Sequence, residues 1–201
     1  MNRREFHPPH IYTDNACYFL TARIVRKQRL LNTEAKRNLV RNVLKEAIAQ
    51  HGIRLYAWVI LADHYHMLLK TGKTSPLYKF IKRLHGQSAI LLNKQDATPG
   101  RQVWYQYWDR FPRNERDFWS YFNYIHINPI KHGYVRTQDG VLLAKDKAVS
   151  LAPGHVPDIH QCLAQYQHSS YHFYLREYGA EFLKDAWMRY PIPDYLDHDV
   201  S

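Results

Sequence analysis

Cysteine is almost missing from this 201-residue chain: Cys17 and Cys162 are its only two, far apart and without a C-x-x-C. That excludes a disulfide framework and a cysteine zinc site. Glycine is sparse, at 8 residues, and no glycine-rich P-loop occurs, so nothing points to ATP. No apolar run approaches the length of a membrane span. Met1 to His10 is charged and proline-containing, with no apolar h-region, so no secretory signal is expected. Acid is in deficit, with 18 Asp plus Glu against 28 Lys plus Arg, a formal net charge of +10. There is no internal repeat and no low-complexity run. A reducing, cytoplasmic location without membrane contact is the resulting expectation.

What is present is a globular composition, 45% hydrophobic and 14% aromatic with 16 Tyr and 5 Trp. The length suits one domain with a real core. The positive surplus favours a polyanionic partner, although a basic protein with no particular partner has the same balance. Tyrosine and tryptophan suit surfaces that are apolar on one side and wet on the other.

The patterning predicts the order β-α-β-β-α-β followed by a further helix. Ala16 to Val25 reads as the first strand. Asn32 and Thr33 offer a cap to a helix that Gly52 ends. Leu55 to Leu61 is a continuous apolar run, expected to be a buried central strand. A tight turn at Ala62-Asp63 leads into a strand from His64 to Lys70. Ser75 caps the next helix, with Pro76 at its first position. Val103 to Arg110 is an aromatic strand; strict alternation would put Trp104 and Trp108 on one face, Tyr105 and Tyr107 on the other. Asn114, with Asp117 three residues on, opens the last helix. Pro129 is expected to stop it near Ile127. The fold class is therefore α+β: a ferredoxin-like split β-α-β antiparallel sheet with helices on one face. Residues 1–15 read as an irregular arm, 16–140 as the main domain and 141–201 as a small appendage packed on it.

His64 and His66 are two apart on a strand, so both imidazoles project from one face, near enough to share a divalent ion. Packed or hydrogen-bonded histidines would satisfy the same pattern. Asp63 is expected on the opposite face. Tyr124 and Asn128 lie one turn apart on one face of the last helix. A tyrosine hydroxyl can act as a nucleophile towards phosphorus, and at a pKa of ~10 it is weak at neutral pH. A metal that polarises the phosphate compensates for that. With so many tyrosines, an ordinary core or rim role for Tyr124 stays open. Lys79, Lys82 and Arg83 form a basic helix side, with Arg110, Arg113 and Arg116 further along.

These residues, and the stretches A-W-V-I-L-A-D-H-Y-H-M-L-L (57–69), V-W-Y-Q-Y-W-D-R-F-P-R-N-E-R-D-F (103–118), Y-I-H-I-N-P-I-K-H-G-Y-V (124–135) and Y-Q-H-S-S-Y (166–171), resemble the REP-associated tyrosine transposases. Those are IS200-like enzymes of the single-tyrosine HUH superfamily. The resemblance covers roughly residues 16 to 171. It implies a single-stranded DNA nicking and strand-joining transposase acting on REP-type hairpins through a 5′-phosphotyrosine. It makes Tyr124 the nucleophile, His64 and His66 the ligands of Mg²⁺ or Mn²⁺, and Asn128 an amide on the metal side. It also implies a place at the nucleoid, and it leaves monomer or homodimer open. One departure is Ala62-Asp63, where relatives often carry Pro-Asn. Lys79, Lys82 and Arg83, with Arg101, Arg110, Arg113 and Arg116, would hold phosphates, and one aromatic pair of the 103–110 strand would stack bases unless both pairs belong to the core. Trp187, Tyr190 and Tyr195 are expected to close over the DNA or the active site. The rivals are a non-cutting hairpin binder, a ferredoxin-like RNA-binding domain and a hydrolase that uses water.

Overall fold

Four strands and the helices between them account for most of the chain in the computed structural model, which describes residues 13–73, 76–135, 159–193 and 196. The strands are β1 (Cys17–Ile24), β2 (Arg54–Ile60), β3 (His64–Lys70) and β4 (Trp104–Arg110); the helices are α1 (Glu34–His51), α2 (Leu77–Gln95), α3 (Glu115–Lys131), α4 (Ile159–Ala164) and α5 (Tyr171–Arg189). The sheet order is β2-β3-β1-β4, and every neighbouring pair is antiparallel. This is the split β-α-β order, and the class is α+β.

Local signals explain most boundaries. The Thr33 side chain accepts from Lys36 N, and Gly52 closes α1 in the left-handed region at φ 58. Asn114 accepts from Asp117 N at the start of α3. Leu61 N donates to His64 O at 2.8 Å, which closes the tight β2–β3 hairpin. For α2, Pro76 is the N-cap and not the first helical residue, so the helix starts one residue later than expected, at Leu77, and the cap side chain makes no capping bond. Ser75, the expected cap, lies outside the described residues, as do the arm up to residue 12, residues 136–158 and Tyr195.

Helices cover both faces of the sheet, not one. On the first face Tyr18, Leu20, Tyr65, Met67 and Leu69 pack with Val40, Leu44, Phe80, Ile81 and Leu84 of α1 and α2. On the second, Phe19, Val59 and Leu68 pack with Phe122, Tyr124, Ile125, Leu163 and Leu183 of α3, α4 and α5. The burial of β1 and β3 agrees with this, because successive residues point to opposite faces and both sets are buried, with Thr21, Arg23, His64 and His66 the polar members on the second face.

β2 is an edge strand, although its apolar run reads as central. Its outer side is closed by the chain after α4. Ile60 N donates to His168 O at 2.9 Å and Ser170 N to Trp58 O at 2.9 Å. Tyr166 Oη donates to Ile60 O at 2.7 Å, and Trp58 N donates to Ser170 Oγ at 3.0 Å. Covering an edge in this way lets it carry an apolar sequence.

A bulge re-sorts the aromatics of β4. Ile24 faces Trp104 but Ala22 faces Tyr107, so β4 gains one residue between them. Trp104 and Tyr107 therefore both pack on the α1/α2 core, and Trp104 Nε1 donates to Ser88 Oγ at 2.9 Å. Tyr105 and Trp108 pair with each other instead, ring centroids 6.3 Å apart. Trp108 lies across from Thr21, on the α3 face.

α3 does not stop at Ile127 but runs through Pro129 to Lys131. Pro129 has no N–H for the Ile125 carbonyl, yet His132 N still bonds Asn128 O at 3.0 Å and Tyr134 N bonds Pro129 O at 2.8 Å. Gly133 then turns the chain at φ 67. Burial of Ile130 and Val135 holds that extra turn down. The preference against helix before proline is outweighed by packing. Tyr134 secures the end of the turn, its oxygen accepting from Ala62 N at 3.0 Å in the β2–β3 hairpin.

Candidate functional site

The α3 face of β3 carries His64 and His66, both fully buried. Their ring centroids are 5.0 Å apart. Antiparallel register sets Thr21 and Arg23 of β1 directly across from them, on the same face. His66 Nδ1 pairs with Thr21 Oγ1 at 2.7 Å. A hydroxyl accepts as readily as it donates, so the tautomer with Nε2 bare is open to His66. His64 Nδ1 donates to Asp63 Oδ1 at 2.8 Å, which leaves the Nε2 lone pair of His64 outward. Asp63 is thus not turned away: it sits in the hairpin bend, where strand alternation has not begun. Burial raises the Asp63 carboxyl, but the His64 hydrogen bond and the charges of His64 and His132 outweigh it and hold the group below its usual range.

α3 brings Tyr124 to this pair. Its ring is buried and lies edge-on to His66, with centroids 5.2 Å apart, and Phe19 packs between Tyr121 and the site. Asn128, one turn on and fully buried, donates from Nδ2 to Tyr124 O at 2.6 Å. That fixes the amide so that Oδ1 is its remaining polar end.

Four buried atoms here have no hydrogen-bond partner: His64 Nε2, His66 Nε2, Asn128 Oδ1 and His132 Nε2. Buried polar atoms are rarely left so. Two bare imidazole nitrogens and an amide oxygen form a donor set that suits a divalent ion with open positions for water and phosphate. His66 is held well below the ordinary histidine range, first by burial and then by the charges of His64, His132, Lys131 and Arg23. It is neutral at physiological pH, the state a ligand needs. The His132 ring lies 4.8 Å from that of His64, and burial pushes its imidazole down to about 4. No three His, Cys, Asp or Glu side chains among the described residues already form a closed metal cage; an amide is outside that set.

The cationic residues divide between two sides of the sheet. Lys79, Lys82 and Arg83 are exposed on the outer side of α2, across the sheet from Tyr124. Arg110 sits opposite Phe19 on β4. Arg113 Nε donates to Asp117 Oδ2 at 2.8 Å, and Arg116 is exposed in the first turn of α3. Trp187 stacks on His160 and Tyr190 on Trp119, within the packing of α3, α4 and α5. Sequence reasoning missed Thr21, Lys131, His132 and the role of Asp63. Thr21 was legible only through register, whereas Asp63 stood beside His64 and was set aside on face parity.

The sequence profile of the family described as "Transposase IS200 like" matches residues 13–125. A REP-associated tyrosine transposase of Escherichia coli (strain K12) is 27% identical over 131 residues, covering 62% of this chain and 73% of that protein. The solved structure of a REP-associated tyrosine transposase bound to a REP hairpin superposes with a TM-score of 0.62 at 17% identity, covering 86% of each chain.

Proposed function

Because this chain belongs to the IS200-like transposase family, we propose that it nicks and rejoins single-stranded DNA at REP-type hairpins through a covalent link on Tyr124. The observation that carries this reading is the meeting of a tyrosine with two inward histidines on one sheet face, His66 to Tyr124 at 5.2 Å. The REP hairpin held by the structural neighbour supports the choice of substrate.

The Tyr124 oxygen attacks the scissile phosphorus. The new O–P bond displaces the 3′-oxygen, which leaves as a free 3′-OH and keeps the 5′-phosphate on the tyrosine. A 3′-OH reverses the step and rejoins strands, so one phosphodiester is exchanged for another without ATP. Mg²⁺ or Mn²⁺ held by His64 Nε2, His66 Nε2 and Asn128 Oδ1 would supply Lewis-acid polarisation of the phosphate. Asp63 and Thr21 fix the rings of His64 and His66, and Asn128 ties its amide to the backbone of the nucleophile itself. Arg110, Arg113 and Arg116 hold phosphates on the side of α3, with Tyr105 and Trp108 offering a stacking pair on the same sheet face. Lys79, Lys82 and Arg83 hold a second, remote stretch of backbone. Such a substrate places the protein at the nucleoid, in the cytoplasm.

A trapping assay tests this. The full chain is incubated with labelled hairpin-bearing single strands, with and without Mn²⁺, and run on a denaturing gel. A metal-dependent label on the protein, absent from Tyr124→Phe and His64→Ala, is expected. Binding with no adduct in the wild type selects the non-cutting binder, and cut DNA with no adduct selects hydrolysis by water.

A further inference from the structure

Lysine in the last turn of a helix has an ordinary place near the terminal carbonyls or in solvent. Lys131 is in the last turn of α3, yet it folds back along two turns of its own helix. Its Nζ donates to Tyr124 Oη at 3.4 Å and lies 4.8 Å from the centroid of the Tyr124 ring. A cation in contact with both the hydroxyl and the ring face is placed to act on that tyrosine.

We propose that Lys131 is a catalytic residue of the strand exchange, its ammonium stabilising the negative charge on the Tyr124 oxygen both when it attacks and when it leaves. The proposal rests on the nucleophile reading above. In cleavage Tyr124 gives its proton to water, the O–P bond forms, the P–O3′ bond breaks and the 3′-oxygen takes a proton. In rejoining, the 3′-OH loses a proton, the new P–O3′ bond forms and the tyrosine oxygen departs. Lys131 transfers no proton in either direction; it donates a hydrogen bond to whichever form of the oxygen carries charge.

The charged and titratable groups acting on His66, whose ring packs against that of Tyr124, come from three elements: His64 on β3, Arg23 on β1, and Lys131 and His132 at the end of α3. Asp63 stands behind His64. Against that background, removing the Lys131 charge takes away an ammonium that touches the Tyr124 hydroxyl, and with it a charge-assisted hydrogen bond to the reacting oxygen.

The test uses the full chain as wild type, Lys131→Met, Lys131→Gln and Lys131→Arg. With a hairpin-bearing strand and Mn²⁺, adduct formation is followed against pH, and hairpin affinity is measured separately. Expected is a rising limb of the adduct rate moved to higher pH in Met and Gln. Also expected are a roughly tenfold slower adduct at pH 7, unchanged hairpin affinity and substantial rescue by Arg. A wild type that forms adduct, with Met and Gln sharing its rate and pH profile, overturns the role of Lys131. A wild type that forms no adduct overturns the nucleophile reading, and the catalytic role with it. Thermal melts of the variants exclude unfolding, and the Gln and Arg forms keep the test intact if Met alone is unstable.

Discussion

Replacing Asp63 with Asn isolates a single charge at the candidate metal site. The side chain keeps its size and an oxygen that can accept from His64 Nδ1, now 2.8 Å away; only the carboxylate charge goes. When Nε2 gives its lone pair to a metal, the Nδ1 proton becomes more acidic, and its bond to a carboxylate strengthens. A charge-assisted hydrogen bond contributes about 1.5–3 kcal/mol against about 0.5–1.5 for a neutral one. The Asp63 side chain is 28% exposed, so solvent screens part of this, and a loss of about 1.4 kcal/mol is expected, or about tenfold in metal affinity. Asp63→Ala also removes the bond that orients the ring, and its loss approaches about 100-fold. Isothermal titration of the full chain with Mn²⁺, beside His64→Ala as a non-binding reference, measures both. If Asn and Ala each bind within twofold of wild type, the Asp63–His64 bond does not serve the metal site and the reasoning fails.

Acid should destabilise the fold well before its carboxylates are protonated. Burial pushes the imidazoles of His85 and His126 down to about 3. The unfolded chain therefore takes up protons first, and stability present above about pH 6.5 is lost as pH falls toward those lowered values. At pH 5.5 each histidine contributes a loss of about 1.4 kcal/mol, readable by urea titration at pH 7.5 and 5.5; equal midpoints would count against it. Ser170→Ala should cost about 2–3 kcal/mol in the same assay, since it strips a partner at once from His126 Nε2 (2.7 Å) and Trp58 N (3.0 Å). Neutralising Lys79, Lys82 and Arg83 together should lower the slope of log affinity against log salt by up to about 2–3 for hairpin DNA. An unchanged slope would confine binding to the α3 side.

The core of this fold was legible because apolar runs and caps speak locally. Thr33, Gly52 and Asn114 mark their helix ends in sequence and in space alike, and the H-x-H spacing put two imidazoles on one face as alternation requires. What was not legible depended on partners distant in the chain. The β2 run read as central because nothing in residues 54–60 announces that residues 166–170 will cover its edge. The aromatic order of β4 was misjudged because a one-residue bulge, set by pairing with β1, breaks the parity on which alternation relies. Pro129 failed as a stop signal because tertiary burial of Ile130 and Val135 outweighs a local preference. Asp63 was misplaced by the same parity rule, applied one residue too early in a turn.

The closed edge of β2 bears on where this protein can be cut. The stretch matched by the family profile ends at residue 125, and a fragment designed on that limit would discard Tyr166, His168 and Ser170. The backbone groups of Trp58 and Ile60 would then face solvent beside an apolar strand, a ready template for a neighbouring copy to add a strand of its own. Such a fragment is expected to self-associate through β2 instead of remaining dispersed. Chimeras that exchange parts of this fold between relatives should therefore carry residues 159–189 along with the sheet they protect.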